Sequence, residues 1–251
     1  MTIRGPRNWR RLSRLILGST IGLFATPGLV LAQSSPPAIY SAAMAEAQKA
    51  TDYTFAYTLT AQTSDGPVAA RFDPRLGESN TSSQGWTLLS PDLNALTTTQ
   101  KAAWVKIQSQ HSPATAIQLS SVSGDYGYRG QDSQDGTHIV FSAKPLGSNS
   151  FSKSRQTVID HLISHITIQT SPPRIVSVIS SAEAPFTIEA IAKVDAVNEV
   201  VTLQYLPKAG VVVLRSVNLT VSGNSIVEAR TPNEAFEISD VETIPVPNGR
   251  E

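Results

Sequence analysis

The sharpest pattern in the 251-residue chain is an alternation around residue 57, where Tyr53, Phe55, Tyr57, Leu59 and Ala61 interleave with Thr54, Ala56, Thr58, Thr60 and Gln62. A period of two with aromatic side chains in one row predicts a half-buried strand, that row turned inward. Asp65-Gly66 is a turn signal, and Val68, Ala70 and Phe72 resume the same period, so the two runs predict a hairpin. Asp73-Pro74 ends it, because proline has no N–H for the ladder and pushes the preceding residue into an extended or turn conformation. The polar, Gly/Ser-rich stretch 75–85 predicts a loop, after which Trp86, Leu88 and Leu89 bring the chain back to the core.

Two segments carry a helical period instead. Ile39, Tyr40, Ala43, Ala47 and Ala50 share one side of a helix over Ala38–Ala50, with a narrow alanine-rich stripe suited to lying on a sheet. Thr97 followed by Gln100 has capping-box spacing and predicts a helix through Gln108, with Ala103, Trp104 and Ile107 as its apolar contacts. Residues 111–136 read as loop-rich, with a strand over 114–122 and loop from Tyr126-Gly127-Tyr128-Arg129-Gly130 onward.

The rest is β-patterned. Ile139, Phe141 and Ala143 alternate, 163–170 and 175–179 flank Ser171-Pro172-Pro173, and Phe186, Ile188 and Ala190 start another strand. A β-branched run at 197–206 meets the turn Pro207-Lys208-Ala209-Gly210. Val211, Val213, Val217, Leu219 and Val221 then fall in one row, with Arg215 as the exception. Ser222-Gly223-Asn224 predicts a turn into a strand over 225–230, Phe236 and Ile238 close the pattern, and 245–251 reads as a tail.

About eight to ten strands joined by hairpins imply an antiparallel sheet. A sheet that long must curl or split to cover its apolar face. The fold class expected is therefore mainly β (α+β): a strongly curved antiparallel sheet, an incomplete barrel, with two helices packed on or in its concave side.

The N-terminus bears on location. Arg4, Arg7, Arg10, Arg11 and Arg14 precede a mostly apolar stretch over 15–31, and Val30-Leu31-Ala32 has the small and aliphatic residues of a cleavage site. That order predicts a signal peptide over 1–32, general secretory export to the periplasm, and a single domain over 33–244. The apolar stretch is broken by Gly18, Pro27 and Gly28 and is shorter than the ~20 residues of a spanning helix, so no membrane span is expected after cleavage. The chain has no cysteine, which excludes disulfides, thiolate metal sites and a lipid anchor at the cleavage site. Five of the 20 basic residues and none of the 20 acidic ones lie in the leader, leaving the mature chain with an excess of five acids. With no dense Lys/Arg cluster after Arg14, nucleic acid is not an expected partner.

Helix, "DYTFAYTLT", "RFDP", loop, "WTLL" and "TTTQKAAW", with "APFTIEAIAKVDAVNEVVTLQYLP" and "VNLTVSG" later, resemble a set of exported bacterial proteins. That set is similar in architecture to the periplasmic lipoprotein carrier LolA and the outer-membrane receptor LolB. The likeness spans most of 38–243, its specific part being 70–89. It implies a half-barrel with a concave apolar interior, which in the carrier family accepts acyl chains. The long loop between Pro74 and Trp86 departs from that pattern, and the missing lipid-bearing cysteine argues against a receptor role. No ligand residue transfers position by position.

Candidate chemistry is sparse. His161 and His165 in "DHLISH" share a face on a helix, but on a strand they stand roughly 13 Å apart, and no third ligand is near; a polar strand edge is the better reading and no metal is expected. Ser150-Phe151-Ser152-Lys153 matches Ser-x-x-Lys in a serine-rich loop without its companion motifs. Asp132 and Asp135 lack a full calcium ligand series and read as solvated loop. Acid and base groups are scattered, so a non-enzymatic protein without cofactor is expected. The candidate apolar lining is Tyr53, Phe55, Tyr57, Leu59, Phe72, Trp86, Leu88, Trp104 and Phe141; Arg215, on the apolar face of its strand, reads first as structurally paired with an acid or closing the mouth, and second as facing a ligand headgroup. That row lines an acyl cavity or fills a core, since both use the same residues. The first expectation is a periplasmic protein binding or carrying a lipid, a lipoprotein acyl chain or another apolar ligand. The alternative is an envelope interaction module with a packed core and a partner protein.

Overall fold

One open antiparallel sheet of eleven strands organises the computed structural model, which describes residues 35–77, 85–109, 118–119, 125–147, 152–188, 192–225 and 233–244. Helix α1 (Ala38–Gln48) runs into a 3-10 turn, Lys49–Asp52. Strands β1 (Thr54–Ala61) and β2 (Val68–Phe72) form the expected hairpin, with Tyr57 opposite Phe72. The short helix α2 (Pro74–Gly77) and β3 (Trp86–Ser90) follow, Trp86 standing opposite Phe72. Helix α3 (Thr98–Gln108) starts on the predicted capping box, Thr97 accepting from the Gln100 N–H and Gln100 accepting from the Thr97 N–H.

Strands β4 (Asp125–Gln134) and β5 (His138–Gly147), helix α4 (Lys153–Asp160), β6 (Leu162–Thr170) and β7 (Pro173–Ala182) continue the chain. A short β8 (Phe186–Ile188) precedes β9 (Ala192–Leu206), β10 (Val211–Ser225) and β11 (Asn233–Ile244). The strand order is β3-β2-β1-β11-β10-β9-β7-β6-β5-β4, with β8 pairing β9. Two meanders therefore meet where β11 pairs with β1, and the sheet ends on β3 and β4 without closing into a barrel. This is a mainly β fold carrying helices.

Helix α1 packs on β6, β7 and β10 through Tyr40, Ala43 and Ala47. Its alanines bring the helix close to the sheet, and Tyr40 stacks edge-on against Tyr128 of β4 and Phe141 of β5. One contiguous core runs from Trp86 at the β3 end through Phe55, Val201 and Ile166 to Phe141 and Tyr126 at the β4 end. A smaller cluster of Leu162, Phe186, Val194 and Val197 lies beside β8.

Several local expectations are corrected. Strand β1 is buried on both faces, with Ala56 fully inaccessible and Thr58 9% exposed. Arg71, opposite Thr58, reaches the Asp240 carbonyl, and Arg75 of α2 reaches Glu242, opposite Ala56, so these long side chains cover the reverse face. Pro74 opens a helix rather than a loop because its missing N–H is spare at the first helical position, while the Asp73 carboxylate accepts from the Arg75 N–H. Residues 126–130 are strand, not loop. Bulges at Arg129 and Asp132 break their period, which hides β4 from a pattern search. Helix α4 went unforeseen since only Val158 and Ile159 mark its apolar side; Ser152, read as part of a serine-rich loop, caps it.

The row 211–221 does not share one face. Arg215 is the extra residue of a bulge, so Val211 and Val213 face one way and Val217, Leu219 and Val221 the other. Ser222-Gly223-Asn224 continues β10 instead of turning, with Gly223 opposite Val194. The leader over 1–32, most of the predicted strand over 114–122, most of the strand over 225–230, Ala190, Ser150 and the tail at 245–251 lie outside the described residues.

Candidate functional site

The aromatic row is built by register. Tyr57, Phe72 and Trp86 stand side by side on β1, β2 and β3, so their rings meet at centroid distances of 5.6 Å (Tyr57–Phe72), 5.7 Å (Tyr57–Trp86) and 5.2 Å (Phe72–Trp86). Phe55, Tyr57, Leu59, Phe72, Trp86, Trp104 and Phe141 are all buried in the one main core cluster. Tyr53 precedes β1 and is 36% exposed, its hydroxyl donating to the Ala209 carbonyl at 3.2 Å. Burial pushes the Tyr40 phenol up to about 12 and raises that of Tyr57 further, so neither ionises near neutral pH. Tyr57, Phe72 and Trp86 pack against one another, and Phe141 packs edge-on against Tyr40 of α1.

A hollow lies at the end of this row, between the edge strand β3 and α3. It has a volume of about 450 Å³ and is lined by Leu88, Leu89, Pro91, Asp92, Leu93, Trp104 and Gln108. Pro91 ends β3, and Asp92 caps the turn Leu93–Ala95 by accepting from the Asn94 N–H at 2.9 Å. The capping box sets the start of α3 and thereby the position of Trp104 two turns later. Leu89 is the extra residue of a bulge against β2, which turns its side chain out; it is 55% exposed, Leu93 58% and Val105 of α3 62%. Leu88 and Trp104 thus belong both to the predicted lining and to the groove. Leu93 and Pro91 were not singled out from sequence; the only signal was an isolated leucine behind Pro-Asp.

Polar groups are engaged elsewhere. On β4–β6 the Asp132 carboxylate accepts from the Ser142 hydroxyl and pairs with His165 Nδ1 at 2.7 Å. Partial burial works against that charge, but these two hydrogen bonds outweigh it and hold the Asp132 carboxyl below its usual range. His161 terminates α4 and stacks on Phe186 at 4.3 Å, so the two histidines serve separate contacts. Asp135 accepts from the His138 and Thr137 N–H groups in the β4–β5 turn. Lys153 opens α4. Arg215 is exposed on its bulge rather than in the apolar row. Among the described residues no three His, Cys, Asp or Glu side chains are grouped as a metal site.

No family model, curated protein or solved structure matches the chain.

Proposed function

We propose that the protein is a non-enzymatic binding protein of the cell envelope, exported to the periplasm, which holds an apolar ligand in the β3–α3 groove. The ligand class is an acyl chain of a lipid or lipoprotein. The observation that supports this most directly is the groove itself: its roughly 450 Å³ falls within the range of small-ligand sites, and three leucines, a proline and Trp104 line it. Asp92 and Gln108 at its border supply the few polar groups that fix orientation in such sites. The aromatic row contributes the wall behind Trp86 and Trp104, its own rings being occupied with each other.

Leu93→Arg tests this, since the side chain is exposed and the change leaves the core intact. A fluorescent acyl probe is expected to bind the wild-type protein and to lose at least about tenfold in affinity with the variant. A probe that ignores the substitution, or never binds, removes the acyl reading.

A second reading is favoured by one specific observation, the filled interior from Tyr57 to Phe141. A module with a packed core would use the same exposed Leu89, Leu93 and Val105 to contact a partner protein. A photo-crosslinker placed at Val105 that captures one defined envelope protein supports it.

A further inference from the structure

At the turn end of β7 and β9, Arg174 lies flat on Tyr205, its guanidinium carbon 3.3 Å from the ring centroid. Stacking of this kind fixes the plane of the guanidinium and leaves its N–H fork to be satisfied in that plane. The guanidinium is not satisfied from within: Nε is buried without a hydrogen-bond partner, and the terminal nitrogens, which are not buried, have no hydrogen bond or carboxylate among the described residues and face outward as a pair. A buried donor left without an acceptor is uncommon enough in folded proteins to call for a bound group.

Gln169, directly opposite Arg174 on β6, turns its amide NH₂ to the Ser171 carbonyl. The excess of five acids downstream of the leader repels anions at long range, but that repulsion is screened beyond about 10 Å.

We infer that Arg174, stacked on Tyr205, is a binding site for a phosphate oxyanion, whether free or carried by a lipid headgroup. The planar fork matches two oxygens of such a group, which an ammonium does not. The site is at the β9–β10 turn end and does not depend on the β3–α3 groove being occupied.

The test follows the Arg174 Nε–H signal in ¹H–¹⁵N spectra while inorganic phosphate is added at constant ionic strength. A saturable shift is expected, abolished in Arg174→Gln and weakened by about tenfold in Arg174→Lys, which keeps the charge but not the fork. In parallel, the protein is floated with phosphatidylglycerol vesicles and with phosphatidylcholine vesicles. Flotation confined to the anionic vesicles and lost in Arg174→Gln supports the headgroup as source; phosphate binding without flotation supports the free anion. Absence of both, or a phosphate shift that persists in a folded Arg174→Gln variant, overturns the inference.

Discussion

Replacing Phe72 with alanine separates a packed interior from a hollow one. The ring is 3% exposed and lies between Tyr57 and Trp86 at 5.6 and 5.2 Å. Removing it from a close-packed setting forfeits the transfer free energy of the phenyl group and leaves a cavity, together about 3–5 kcal/mol. Of this, each ring pair accounts for about 0.5–1.5 kcal/mol beyond buried area. Against a total stability of about 5–15 kcal/mol, the loss is a large fraction of what holds the protein folded. With a urea m-value of about 1–3 kcal/mol per molar, the midpoint should fall by about 1–5 M while m stays constant. A cycle with Trp86→Ala should return a coupling of about 1 kcal/mol between the two rings. If Phe72 instead lined an acyl tunnel, one side of the ring would have no protein neighbour to lose. The cost would then stay below about 1.5 kcal/mol and probe uptake would rise, and that pair of results would refute the packed-core argument.

Two further outcomes follow from the backbone and the carboxylates. At Gly223 a Cβ would stand 2.1 Å from the Lys193 carbonyl oxygen and 2.9 Å from Val194 Cα, both backbone atoms, so Gly223→Ala should cost about 2–4 kcal/mol by thermal melt; a neutral result would mean that the β9–β10 pair is open there. The Asp73 carboxyl is held below its usual 3.8, first by the Arg75 side chain, and Asp65, Asp132 and Asp135 are lowered by their hydrogen bonds as well. A depressed folded value adds stability above the unfolded value that disappears as pH falls through the folded one, so Tm should be flat from about pH 7 to 5 and drop below about pH 4. These groups lie near the surface and each contributes little, but a Tm that held constant to pH 3 would contradict all four assignments.

What was legible in the sequence was whatever obeyed one period without interruption. The β1–β2 hairpin, the Pro207–Gly210 turn and the capping box at Thr97 each rest on local chemistry that acts within a few residues, and all three form as written. Bulges defeated the pattern. Arg129 and Asp132 in β4 and Arg215 in β10 each add one residue, which moves every later side chain to the opposite face and turns a strand into apparent loop or a row into two half-rows. Helix α4 was hidden for a different reason: it buries Ile159 but is otherwise polar, and its position depends on Lys144 donating to the Asp160 and Leu162 carbonyls from another strand. Of the candidate site, Trp104 and Leu88 were readable as apolar anchors. The groove was not, because it exists only where β3, the turn after Pro91 and α3 meet in space.

An open sheet has two edges that must each be kept from pairing with other chains, and the two are handled differently here. Strand β4 has three register irregularities, an exposed Arg129, and an Asp132 tied back to Ser142 and His165, so its edge is bent and polar. Strand β3 has only five residues and a single bulge, and that bulge pushes Leu89 outward instead of a charge. Leu93 and Val105 extend the apolar surface beyond it. Exposure of Leu89 and Leu93 at one groove costs solubility and provides no internal packing in return. A polar residue at either of them would serve the fold equally well. If the proposed groove is the binding site, substitution of Leu89 or Leu93 should alter binding while leaving the core that Phe72 reports on unchanged.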